Sequence, residues 1–208
     1  MNLVMIGTGY VGLTTGVGFA TLGAQVACVD IDTSKIARLD RGEVPFYEPG
    51  LQEALKHVQE NGRILFTSDL KSVIGGAEVV MIAVGTPPKS TGEADLTALF
   101  AVADQIGSLL DHEAVIAVKS TVPVGTNRKV IARICAAMEK AGRAELTSLI
   151  NIVSVPEFLR EGSAFEDFLQ PDRVVIGSDD EVAAQTVDRL HRDIVAPRVM
   201  TTLESAEL

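Results

Sequence analysis

The chain has 208 residues, 47% of them hydrophobic, which is enough apolar chain for one substantial core and too much for a disordered polypeptide. Eighteen Lys and Arg against 28 Asp and Glu leave a formal net charge of -10, which repels nucleic acid and anionic membrane surfaces and points to a small-molecule partner. No apolar stretch reaches membrane-spanning length, and the short run after Met1 is too uncharged at its start for a signal peptide.

In chain order, the predicted strands are residues 2–6, 25–30, 64–66, 78–84, 114–120, 150–155 and 173–177. Between them, helical periodicity covers about 10–22, 33–41, 50–60, 95–110, 124–141 and 180–191. This alternation is the signature of βαβ units, and near-continuous Val, Ile and Ala in the strands requires both sheet faces to be covered. The expected fold is a Rossmann-type, doubly wound, mostly parallel sheet with helices on both faces, in a single domain over residues 1–198. Thr201 and Glu204 then have the spacing of a capping box, so residues 199–208 read as the start of a longer helix and the chain as a piece of something larger.

The first chemistry lies in "GTGYVG", directly after the first strand and opening the first helix. Gly7 allows the tight turn, Gly9 lets backbone approach a pyrophosphate, Gly12 allows close packing, and the helix N-terminus offers free amides to phosphate. The second strand ends at Asp30, roughly 20 residues on, where a carboxylate accepts ribose hydroxyls and repels a 2'-phosphate, favouring NAD over NADP. Asp32 reads as the N-cap of the next helix, and Lys35 as either a solvated charge or a contact to the adenosine ribose.

In such sheets ligands sit outside the carboxyl ends of the strands, which selects three loops: "GTPP" with Thr86, "STVPVG" with Thr121, and "VPEFLREG". Thr121 is either a helix cap or a hydroxyl aimed at cofactor or water, and Pro123 opens the following helix. Glu157 and Glu161, four apart, would stack on one face of a helix, where mutual repulsion raises at least one pKa toward a useful range. That face is either solvated surface or an acid-base site. Cys28 and Cys135 sit among apolar neighbours and read as small buried hydrophobes in a reducing, cytoplasmic setting, and His57, His112 and His191 lack ligand spacing, so no metal is expected.

The stretches "MIGTGYVGLTTGVGFATLGAQVACVDID", "EVPFYEPGL", "VGTPP", "KSTVPVGT" and "PEFLREGSAFEDFLQPDRVVIG" resemble, in order and over nearly the whole chain, the N-terminal domain of the UDP-glucose/GDP-mannose dehydrogenase family. The resemblance implies oxidation of UDP-glucose to UDP-glucuronate with two NAD and one water, through a cysteine-bound thioester. It implies that Gly7, Gly9, Val11, Gly12, Asp30, Lys35, Thr86, Thr121 and Glu161 contact NAD. It further implies that Glu157, Phe158, Leu159, Arg160 and Glu161 line a UDP-sugar, with Glu157 and Thr121 serving the hydrolytic water.

The family usually has Asn before "PEFL", where this chain has Val155. Its members carry a second, UDP-binding domain with the nucleophilic cysteine and form homodimers, so this chain alone is expected to bind NAD without turning over. The competing expectations are a stand-alone NAD-binding regulatory module, or the same reaction on GDP-mannose or UDP-N-acetylmannosamine.

Overall fold

The β-branched runs expected to be strands do pair, and in the computed structural model, which describes residues 1–208, they form one eight-stranded sheet. The strands are β1 (Asn2–Ile6), β2 (Gln25–Val29), β3 (Ile64–Thr67), β4 (Val79–Ile82), β5 (Ala114–Val118), β6 (Ile150–Ser154), β7 (Val174–Gly177) and β8 (Arg198–Thr201), in the order β3-β2-β1-β4-β5-β6-β7-β8. Every neighbouring pair is parallel except β6 and β7, which meet antiparallel at Ser154 and Gly177. The chain starts at β1, winds out to β3, then returns to β4 on the other side of β1. That reversal opens a crevice at the carboxyl ends of β1 and β4, where doubly wound sheets bind ligands.

The helices are α1 (Tyr10–Thr21), α2 (Thr33–Asp40), α3 (Leu51–Glu60), α4 (Lys71–Ile74), α5 (Thr97–Leu109), α6 (Thr126–Lys140), α7 (Ala164–Leu169), α8 (Glu181–Leu190) and α9 (Leu203–Ala206). They cover both faces: one core joins α1, α3, α7 and α8 to the sheet, the other joins α5 and α6. All four residues of β4 are therefore buried, and the strand carries no polar side chain to betray a solvent face.

Three expectations are corrected. Residues 198–201 are a strand, parallel to β7, and the helix after it begins at Leu203 with Thr202, not Thr201, as its cap. Pro123 does not open α6, whose first turn starts at Thr126 behind Gly125 at φ +83°. A carboxylate from far along the chain caps it, since Glu207 accepts from the Gly125 and Asn127 amides at 2.6 and 2.7 Å.

The third correction concerns Glu157 and Glu161, which do not lie on a helix. Residues 155–160 are irregular and α7 begins only at Ala164. The Glu157 carboxylate accepts the Leu159 amide at 3.0 Å, which ties the backbone into a local turn instead of a helical ladder. Gly162 then reverses the chain at φ +88°. The repulsion expected of stacked carboxylates loses its basis with the helix.

Candidate functional site

Gly7 ends β1 at φ +99°, and a Cβ there would stand 2.6 Å from the Ala83 carbonyl oxygen, so β1 and β4 close on a glycine. Gly12, one turn into α1, presses on the Gly7 carbonyl, and any side chain would drive the helix off the turn. At Gly9 nothing lies within 4 Å of a Cβ position, which leaves the backbone open to a ligand. The α1 N-terminus has no side-chain cap and no acid in its first turn, so its amides and positive dipole remain available to a pyrophosphate.

Asp30 stands beside this turn. Its Oδ2 accepts the Thr8 amide at 2.9 Å, the Thr8 hydroxyl at 2.7 Å and Lys35 Nζ at 2.8 Å, while Oδ1 accepts the Asp32 amide at 3.0 Å. Burial alone would raise its pKa, but the hydrogen bonds from Lys35, Asp32 and Thr8 outweigh burial and bring it down to about 2. Lys35 is thus the counter-ion of Asp30, a partner that sequence reasoning did not assign. Asp32 caps α2 as expected, accepting the Ser34 and Lys35 amides at 3.0 and 3.1 Å.

Across the crevice, the loops after β4 and β5 are joined by the Thr86 hydroxyl, which donates to the Thr121 carbonyl at 2.8 Å. Thr121 is exposed and does not cap α6, so its hydroxyl is not occupied as a helix cap. A cavity of about 220 Å³ gathers Gly9, Val11, Thr86, Thr121 and Glu157, together with Tyr10 and Lys119. Glu161 does not line it; it is exposed and lies near Tyr10.

The rest of the expected substrate segment is held from below. Arg160 donates to Asp167 through one guanidinium edge, Nη2 at 2.6 Å and Nε at 3.1 Å, and through its amide at 3.0 Å; this pairing draws the Asp167 carboxyl to about 2. Leu159 packs on the core, Phe158 is 51% exposed, and the Arg173 guanidinium lies 4.7 Å above the Phe158 ring. Val155, where the family's usual Asn is replaced, has its side chain in the core beside Lys119.

Two residues escaped sequence reasoning. Glu48, in "YEPGL", is a buried carboxylate that accepts the Tyr10 hydroxyl, the Gly162 amide at 3.0 Å and the Phe165 amide at 3.1 Å. It fastens the glycine turn to the loop carrying Glu161, and burial, followed by the Glu48 hydrogen bond, pushes the Tyr10 hydroxyl up to about 12. Lys119, at the end of β5, is buried with no salt-bridge or side-chain partner. A charged residue inside an apolar strand pattern was the only available signal for Lys119; Glu48 had none. Cys28 is fully buried, with its thiol pushed up to about 12 by burial, and neither it nor Cys135 lines the cavity.

Comparison with known proteins matches residues 1–195 to the UDP-glucose/GDP-mannose dehydrogenase family, NAD binding domain. The chain belongs to this family. UDP-glucose 6-dehydrogenase TuaD of Bacillus subtilis is 46% identical over the whole chain, which corresponds to 44% of that protein. The structure of a UDP-glucose dehydrogenase from Pyrobaculum islandicum superposes with a TM-score of 0.91 at 40% identity, covering 99% of this chain and 47% of that one. A GDP-mannose dehydrogenase from Pseudomonas aeruginosa gives a TM-score of 0.93 at 32% identity, covering 100% and 48%. The chain thus spans about half the length of the relatives it matches. Its cofactor is NAD, and the open amides of α1 and the acid at Asp30 fit that group. No helix is long and apolar enough to cross a membrane.

Proposed function

We propose that this chain is the cofactor-binding part of a nucleotide-sugar dehydrogenase that oxidises UDP-glucose to UDP-glucuronate. The observation that carries the reading is the convergence of Thr86, Thr121 and Glu157 on the cavity in front of the glycine turn. A dinucleotide-binding module without chemistry has no need of a carboxylate and a free hydroxyl there. Bound NAD accepts the electrons of each oxidation; everything else falls to the protein.

In this reading Gly7, Gly9 and Gly12 shape the pyrophosphate turn, Asp30 receives the ribose hydroxyls, and Val11, Lys35, Thr86, Thr121 and Glu161 complete the cofactor contacts. Phe158, Leu159 and Arg160 line the sugar together with Glu157 and Glu161. Glu157 takes a proton from the water that hydrolyses the acyl intermediate, and Thr121 orients that water through its hydroxyl. The nucleophile for that intermediate is neither Cys28 nor Cys135, because both lie away from this cavity. It belongs to a second, UDP-binding domain, and the full-length protein forms homodimers built on the central helix that leads into that domain.

Mixing this 208-residue chain with NAD and UDP-glucose and following NADH absorbance tests the division of labour. NAD binding without sustained turnover is expected, and steady NADH production would overturn it. Comparing UDP-glucose with GDP-mannose and UDP-N-acetylmannosamine on the native protein decides the sugar.

A further inference from the structure

Lys119 is the only buried lysine or arginine of the chain, 5% exposed, and its ammonium has no hydrogen-bonded partner. It lies between two cavities and lines both. One is the 220 Å³ space shared with Glu157 and Thr121; the other, of about 260 Å³, runs under the Phe158–Arg160 segment to His191. The ammonium makes no ion pair, and desolvation brings its pKa down to about 8, opposed only by the charge of Glu157.

The other charged groups around Lys119 are already engaged. Arg160 and Asp167 neutralise each other, and Arg173 rests on Phe158. Asp172, at the mouth of the second cavity, is exposed. Tyr10, on α1, is bound to Glu48. His191 follows α8 and donates Nδ1 to the Val187 carbonyl at 2.9 Å; burial holds its pKa at about 4, so at neutral pH it is an uncharged ring. Glu157 is left as the acid that acts on Lys119, with Val155 forming apolar wall beside it.

From this placement we infer that Lys119 is a proton-relay residue, acting through Glu157 and delivering protons from the reaction cavity into the second cavity. The inference rests on the role of Glu157 proposed above. Oxidising an alcohol to a carboxylate with water releases protons inside a space that cofactor and sugar cover. In the relay, a water O–H bond breaks and its proton forms an O–H bond on Glu157. The proton then passes through solvent of the shared cavity, since Glu157 and Lys119 make no salt bridge, to the lone pair of Lys119 in its amine form, which restores the carboxylate and leaves an ammonium. That ammonium loses the proton to solvent entering the second cavity, and the amine is regenerated. No electrons change hands in these steps. A group that gains and loses a proton close to neutral pH is suited to this work, and an ordinary surface lysine is not.

Two experiments test the relay. On this chain, NMR titration of the Lys119 side chain is expected to give a midpoint near 8 that falls further in Glu157→Gln. An ordinary lysine midpoint of about 10.4, or no response to Glu157→Gln, overturns the inference. In the native protein, Lys119→Met, which keeps the length and apolar stem, is expected to slow the hydrolytic half-reaction about 100-fold while the first oxidation persists. Small primary amines admitted to the second cavity of Lys119→Ala should restore the rate, rising as the amine becomes the better proton acceptor. Unslowed hydrolysis, or a loss that amines do not rescue, removes the relay alone. A native protein that oxidises none of the three sugars removes the proposed function and the relay with it.

Discussion

The glycine turn with Asp30 and the segment from Val155 to Gly162 meet at one cavity and are joined through Tyr10 and Glu48, yet they are built differently. At the first, every polar group of Asp30 is spoken for and the turn is closed by glycine against backbone. At the second, the backbone is irregular, Phe158 and Arg160 face outward, and a buried lysine lacks a partner. The cofactor end is shaped before the ligand arrives, by the Thr8–Asp30–Lys35 hydrogen bonds and by a glycine that closes β1 against the end of β4. The reacting end is a loop pinned from far along the chain by Glu48 and from seven residues on by Asp167.

That contrast can be broken most severely at Gly12. Replacing it with Ala forces a methyl into the Gly7 carbonyl, and overpacking of this kind costs about 1–3 kcal/mol of stability. Gly12→Ala is expected to abolish measurable NAD binding by calorimetry while the isolated loop at Glu157 keeps its shape. Retained affinity would show that the turn tolerates a side chain.

Asp30→Asn is the next largest change. Losing charge-assisted hydrogen bonds of about 1.5–3 kcal/mol should weaken NAD binding roughly 10- to 100-fold. The same variant alters acid stability. Asp30 has a folded pKa of about 2 against an ordinary 3.8, so its contribution is present above pH 3.8 and is lost as pH falls toward 2. Denaturant unfolding between those pH values should be steeper in pH for the parent than for Asp30→Asn, and identical slopes would contradict the network.

Arg160→Ala has the smallest expected effect on stability. The pair with Asp167 is bidentate, but the Arg160 side chain is 78% exposed and its charge is screened by solvent, so the thermal unfolding midpoint should barely move. A larger loss would mean that the substrate segment is as firmly built as the glycine turn.

Apolar strands of four or five residues, the glycine turn, the Asp32 cap and the acid at Asp30 were all readable from the sequence, because each depends on residues within one βαβ unit. The short α7 and β8 were missed because four to six residues are too few to show a period against the surrounding polar chain. The helix once expected through Glu157 and Glu161 fails for a related reason. A four-residue spacing is necessary for helical stacking but does not produce it, and here Glu157 spends its carboxylate on a nearby amide.

The sequence by itself determined the doubly wound sheet, the cofactor turn and the family, since periodicity and glycine geometry are local properties of the backbone. Only the tertiary structure decided that Glu48 bolts two ligand loops together, that Lys35 answers Asp30, and that Glu207 caps α6 from the far end of the chain. It also decided that Lys119 is buried between two cavities. The Glu48 and Glu207 contacts arise between segments that meet only when the sheet assembles, and burial, which lowers the Lys119 pKa, exists only after that assembly.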